Sequence, residues 1–376
     1  MKSAPRSICL LRLSALGDVT HVLPLVHTLR RAWPQVSIAW IVGKTEHRLL
    51  QGLPGVEFIV FDKRAGFDAV RGLRRQLAQR RFDALLLMQL ALRANLLSSL
   101  VRADLRIGYD RARSRELHGL FVNQRIPADG RHVLDVLGRF VEPLGLQQDR
   151  VEWELPIPDA AHAWAAQQLP GAQPTLLISP CSSHALRNWR PERYAAIADH
   201  AAQRGYRIGL CGGRSALERE TVDAIVAHMR APAIDLTGKD TLKQLAALLQ
   251  RAGLLLSPDA GPVHIANAVG SKVLGLYACT DATRSGPYSD LRYTIDRFDE
   301  AARMVFGKPA SALRWGKRIE APGVMDLIGV DEVRECFDRF DADRRAGTLH
   351  PADPHASGSS AGNCYPAEPG GGAADE

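Results

Sequence analysis

The sequence predicts an α/β protein of two doubly wound halves, each built on a buried parallel sheet. Three observations lead there. Short apolar runs alternate with longer amphipathic stretches along almost the whole chain, the pattern of strand–helix–strand units. The runs fall into two sets of five, parted by a polar, proline-bearing stretch at 152–173. The chain has 376 residues, long for one domain and suited to two.

In chain order, the first five strands are expected at Ile8–Leu13, Ser37–Val42, Phe58–Phe61, Asp83–Met88 and Arg106–Tyr109. The second five are expected at Thr175–Ser179, Arg207–Cys211, Ala233–Leu236, Leu254–Ser257 and Val273–Tyr277. Each consists of residues that suit a strand buried on both faces. Val330–Phe340 carries a helical apolar pattern and is expected to pack back on the body. From Pro351 onward the chain is Pro-, Gly-, Ser- and Ala-rich and is expected to be disordered.

Apolar residues make up 46% and charged residues 24%, which excludes a fibrous or wholly disordered chain. The net charge of +7 is unevenly spread. Residues 1–150 hold 24 Lys and Arg against 13 Asp and Glu, a surplus of 11, and the remainder is net acidic. Such a half suits a phosphate-bearing partner: nucleic acid, an anionic membrane or a phosphorylated glycolipid. A solvated, Arg-rich face would look the same. The six cysteines are scattered without metal-ligand or disulfide spacing, so reduced thiols in the cytoplasm are expected. The Ile8–Leu13 run is too short for a secretory signal, and no run approaches the ~20 residues of a membrane span, so any membrane contact is expected to be peripheral.

The first loop joins a buried strand, the small residues Ser14, Ala15 and Gly17, and an amphipathic helix with Val22, Val26 and Leu29 on one face, stopped at Pro34. A loop leaving the carboxyl end of a strand in a doubly wound sheet faces the binding crevice, and this one carries Asp18. Asp18 is open to two readings, a helix N-cap or a general base for an attacking hydroxyl. The GxGxxG dinucleotide pattern is absent from the loop, which disfavours a dehydrogenase.

In the second half, the strand TLLIS runs into SPCSSHALRNWRPERY, where Ser182 and Ser183 stand beside Arg187, Arg190 and Arg193. Hydroxyls and guanidinium groups together suit a diphosphate. Glu218, after the strand ending at Cys211, could accept from ribose hydroxyls, and Lys239 and Asp240 fall where a base pocket could lie. In SPDAGPVHIANAVGSKVLGLY, Asp259, Ala260 and Gly261 make a turn, and Gly261 to His264 open a helix whose free N–H groups would suit an anion. An ordinary capped helix with His264 as a core histidine is the alternative.

In this order these stretches resemble glycosyltransferase family 9, the ADP-heptose:lipopolysaccharide heptosyltransferases, from Ile8 to about Phe340. LSALGDVTHVLP, the SPCSSHALRNWRPERY loop and SPDAGPVHIANAVGSKVLGLY carry the resemblance. It implies a GT-B architecture, two Rossmann-like domains facing across a cleft. Residues 1–155 would bind a lipid-linked acceptor and 174–325 an ADP-sugar, with a linker at 156–173, a C-terminal helix at 326–345 and a tail at 346–376. It further implies Asp18 as catalytic base and Arg187 as partner of the leaving group, at a place where heptosyltransferases I often have a lysine. Ser182, Ser183, Arg187, Glu218, Asp240, Asp259, Ala260, Gly261 and His264 would hold the donor, and Lys63 and Arg64 the acceptor phosphates. The implied reaction is inverting heptose transfer from ADP-L-glycero-β-D-manno-heptose to Kdo of the lipopolysaccharide inner core. It needs no cofactor or metal and involves no nucleic acid, and it takes place in the cytoplasm at the anionic inner-membrane surface. The competing readings are a family member with another donor sugar or a later core acceptor, a sugar-nucleotide epimerase, and a non-catalytic, membrane-associated nucleotide-binding protein.

Overall fold

The apolar runs become strands because alternate residues serve opposite faces of one sheet. In β1 (Ser7–Leu11), Ile8 and Leu10 enter one hydrophobic cluster and Cys9 and Leu11 another. A computed structural model describes residues 4–349; of the tail expected at 346–376, residues 350–376 lie outside the described residues. The first sheet adds β2 (Ser37–Gly43), β3 (Val56–Phe61), β4 (Phe82–Leu87), β5 (Ala103–Gly108) and β6 (Gln124–Arg125), in the order β3-β2-β1-β4-β5-β6. The second comprises β7 (Thr175–Ile178), β8 (Arg207–Leu210), β9 (Ala233–Asp235), β10 (Gly253–Pro258), β11 (Lys272–Tyr277) and β12 (Thr294–Asp296), in the order β12-β11-β10-β7-β8-β9. Every pairing is parallel. Each sheet therefore has six strands rather than the expected five, the additions being the edge strands β6 and β12.

Strand order reverses direction between β1 and β4 in one sheet and between β7 and β10 in the other. Ligands in such sheets bind at this switch point, beyond the carboxyl ends of the strands. The segment after β1 carries Asp18, and the loops after β7 and β10 carry Ser182, Ser183 and Asp259.

The single helix expected after β1 is two. Leu16–Thr20 ends at a bend and Leu23–Ala32 starts afresh with Pro24 in its first turn, where its missing N–H leaves no hydrogen bond unmade. The stretch between the sheets contains the helix Asp159–Gln168, whose Ala161 and Ala165 pack with Ala246 and Leu249 of the helix Leu242–Ala252. The last helix, Val330–Ala346, sends Val333, Cys336, Phe337 and Phe340 into the core of the second sheet. No helix among the described residues is long and apolar enough to cross a membrane.

Candidate active site

A cleft of about 1090 Å³ lies between the halves, lined by Asp18 and by all nine residues to which the resemblance assigns the donor. Glycine sets how closely its walls approach. A Cβ on Gly17 would stand 2.2 Å from Cδ2 of His264, so only glycine lets the first loop meet the Gly261–Ala268 helix. His264 lies edge-on to His21 (ring centroids 4.7 Å apart), and His21 lies edge-on to His132 (5.6 Å). His132 in turn meets the Gly286 carbonyl at 3.0 Å through Nε2. Burial, then the neighbouring His264 and His132, push the pKa of His21 well below its ordinary value, and His132 falls to about 4, chiefly through burial. At neutral pH these two rings are uncharged packing elements of the seam.

Asp18 is the third residue of the short helix Leu16–Thr20 rather than its N-cap, and its carboxylate accepts from the Ala15 N–H at 3.0 Å. Its other partner is Arg12, whose Nη2 lies 2.6 Å from Oδ2. Burial by itself would raise the pKa of Asp18. The Arg12 guanidinium and the Ala15 N–H outweigh it and hold the carboxyl well below the usual carboxylate range. The side chain is 32% exposed, so a hydroxyl in the cleft can reach it.

Across the cleft, Arg187 is buried, donates to Ser183 Oγ at 2.7 Å and has Glu320 3.3 Å from Nε. Arg190 instead pairs with Asp326 through Nε and Nη2, and Arg193 donates to the Asp326 and Ile328 carbonyls; neither lines the cleft. Ser182 donates to the His184 carbonyl at 3.0 Å. Glu218 completes a capping box, accepting from Ser215 Oγ at 2.6 Å and from the Gly213 N–H at 2.6 Å. It reaches the cleft with its oxygens already engaged. Burial raises the Asp240 pKa to about 6. Lys239 turns to the Asp235 carbonyl. His264 Nε2 stands 3.8 Å from Asp259 Oδ1, beyond hydrogen-bond range. Ala260 caps the Gly261–Ala268 helix; Pro262 has no N–H and the Val263 N–H donates to the Ala260 carbonyl at 3.1 Å, so of the first three positions Gly261 alone has an N–H to offer the cleft.

Lys63 and Arg64 lie elsewhere. They line a second cavity of about 550 Å³ with Lys44, Arg48 and Arg93, built from loops at the carboxyl ends of β2, β3 and β4. Thr45 and Arg48 line both cavities. Sequence reasoning passed over several residues of the cleft region. Arg12 was hidden inside an apolar strand, where a lone cation is itself a signal. Arg284 and Arg318 line the cleft, and the buried Nε of Arg284 has no hydrogen-bond partner among the described residues. Arg284 follows β11, so the carboxyl-end rule that singled out Asp18 would have found it.

The model of glycosyltransferase family 9 (heptosyltransferase) matches residues 70–315. The chain belongs to glycosyltransferase family 9. A relative, the lipopolysaccharide core heptosyltransferase OpsX of Haemophilus influenzae, is 41% identical over 331 residues, 88% of this chain and 95% of that one. Among solved structures, the family 9 glycosyltransferase of Veillonella parvula superposes with a TM-score of 0.74 at 22% identity, covering 90% of this chain and 97% of that one. The Escherichia coli heptosyltransferase WaaC with ADP gives 0.68 at 19%, covering 89% and 99%. Family 9 membership makes the chain a glycosyltransferase of GT-B fold, which sets aside the epimerase and the non-catalytic nucleotide-binding protein.

Proposed function

We propose that the enzyme transfers heptose from ADP-L-glycero-β-D-manno-heptose to Kdo of the lipopolysaccharide inner core, with inversion. The observation that carries this reading is the single cleft in which Asp18 from one half faces Ser183, Arg187 and the start of the Gly261–Ala268 helix from the other, with a basic cavity adjoining it. The relative named for lipopolysaccharide core heptose transfer supports the sugar and the acceptor.

In this reading Asp18 takes the proton of the acceptor hydroxyl as that oxygen bonds to the anomeric carbon. The C–O bond to ADP breaks on the opposite face through an oxocarbenium-like transition state. As the new bond forms, the attacking oxygen becomes positive and its proton strongly acidic, so a carboxylate of low pKa suffices. Negative charge growing on the departing diphosphate is met by Arg187, the Ser182 and Ser183 hydroxyls and the positive end of the Gly261–Ala268 helix. Asp240 and Glu218 border the nucleoside end. Lys63 and Arg64 receive acceptor phosphates, and the net basic first half holds the enzyme at the cytoplasmic face of the anionic inner membrane.

The test is ADP release from a panel of nucleotide sugars, with and without Kdo-terminated lipid A. Release that requires both ADP-heptose and this acceptor is expected. Turnover with another sugar, or only on a heptosylated core, would reassign the donor or the step.

A further inference from the structure

The four most exposed large apolar side chains among the described residues are Phe67 (94%), Leu120 (78%), Leu117 (64%) and Leu96 (55%). All belong to the first half, around the cavity that holds Lys63 and Arg64. Leu92, one helical turn before Leu96, lines that cavity beside Arg93 and Glu116. Leu117 follows Glu116 directly, and the Leu120 N–H donates to the Leu117 carbonyl at 2.9 Å. Phe67 begins the helix Gly66–Leu77 just beyond Arg64.

The backbone sets this patch out deliberately. Glu116 and Leu117 are both left-handed, with φ of 51° and 61°, a conformation that costs a leucine free energy. The segment is clamped there: the Leu92 N–H donates to the Glu116 carboxylate and Asn95 Nδ2 donates to the Glu116 carbonyl at 2.8 Å. His118, next in line, is buried against Asn95. The clamp turns Leu117 and Leu120 outward over a fixed base.

The surrounding charge is net basic, although Glu46, Asp62 and Glu116 line the same cavity and Asp68 is exposed beside Phe67. Lys63, Arg64, Arg71, Arg74, Arg75, Arg93, Arg111 and Arg115 are exposed, and none has an ion-pair partner among the described residues. Exposed apolar side chains on a net basic surface match the two layers of an anionic bilayer, acyl chains beneath phosphate headgroups. We propose that Leu96, Leu117 and Leu120, with Phe67 across the cavity mouth, insert into an anionic leaflet and seat the acceptor cavity on the membrane. The inference rests on the reading of a lipid-linked acceptor and adds to it an apolar anchor that charge alone would not supply.

The full-length protein is tested by flotation with vesicles of phosphatidylethanolamine and phosphatidylglycerol, against phosphatidylcholine alone. The variant is Leu96→Ser, Leu117→Ser and Leu120→Ser together; none of the three lines either cavity. Wild type should float with the anionic vesicles and keep part of its binding at high salt. The triple variant should bind roughly tenfold more weakly or less and lose all binding at high salt, with melting temperature and ADP binding unchanged. Its transfer to vesicle-embedded acceptor should slow, while transfer to a de-acylated acceptor stays at the wild-type rate. Phe67→Ser serves as a second variant with a smaller effect in the same direction. Equal flotation of wild type and variant overturns the proposal, as does failure of wild type to float. So does a wild-type dimer that the triple change dissociates, since the patch would then join two copies. Wild type that floats but does not heptosylate the de-acylated acceptor would refute the assigned reaction and leave the anchor standing.

Discussion

Replacing Asp18 with Asn removes one charge and almost none of the side chain's shape, so it separates chemistry from architecture. The amide oxygen can still accept from the Ala15 N–H, but the 2.6 Å ion pair to Arg12 is lost. Arg12 is 10% exposed. Stripping the partner from a fully buried charge costs about 3–5 kcal/mol. Here Asp18 is partly open to water, and Arg12 keeps Met88 O and, at 3.3 Å, Tyr109 Oη, which reduces the expected loss to about 1–2 kcal/mol. That is a melting point lowered by a few degrees. The loss of a general base is larger, about 10²–10⁴ in turnover. The folded-state pKa of Asp18 is depressed, so its ion pair is complete at neutral pH and is lost only as pH falls below the ordinary carboxylate range. Asp18 therefore contributes no acid limb to kcat between about pH 5 and 7. The assay is ADP release at saturating donor and acceptor, with ADP binding by calorimetry and a thermal melt on the same samples. Near wild-type turnover with a lowered melting point would refute the reasoning and leave the carboxylate only as an anchor for Arg12 and the helix start.

Arg187→Ala should cut turnover about 10²–10³-fold and weaken donor binding, whereas Arg190→Ala, which breaks a pair outside the cleft, should leave both steady-state constants near wild type; the reverse pattern would move the leaving-group contact to Arg190. Gly17→Ala should destabilise by about 1–3 kcal/mol in a thermal or denaturant melt and slow transfer, because the added methyl has no room beside the wedged His264 ring. The raised pKa of Asp240 means its ionised form opposes folding at neutral pH. Asp240→Asn should therefore stabilise at pH 7 by at most about 3 kcal/mol, less for the part of the side chain water reaches, and the gain should vanish as pH falls through 6 toward 4. Lys63→Ala with Arg64→Ala should raise the acceptor KM and leave ADP-heptose affinity unchanged, since the two line a cavity separate from the nucleotide side of the cleft.

Much of this was legible in the sequence because parallel strands buried on both faces write themselves as apolar runs. All ten expected strands overlap observed ones. β6 and β12, with two and three residues, are too short to carry a period. Candidate residues that follow strands were legible by position, since the carboxyl ends of β1, β7 and β10 must face the crevice. What was not legible depends on contacts between halves. Nothing local in His21 or His132 says that they stack into one seam with His264. Nothing in Asp18 says that Arg12, one strand-end earlier, neutralises it. Glu218 carries a second, local signal that was not used: Ser215-x-x-Glu218 is a capping box, so its carboxylate holds the helix start as well as lining the cleft.

The contact between Gly17 and His264 ties together two helices that lie almost 250 residues apart in the chain and belong to different halves. Gly17 cannot grow on its own, because an added methyl needs a smaller or reoriented ring at position 264. Across the family, positions 17 and 264 are therefore expected to drift as a pair, with a larger residue at 17 answered by a smaller one at 264. A graft that exchanges one half of this enzyme for that of a distant relative should fail unless both partners of the seam travel together.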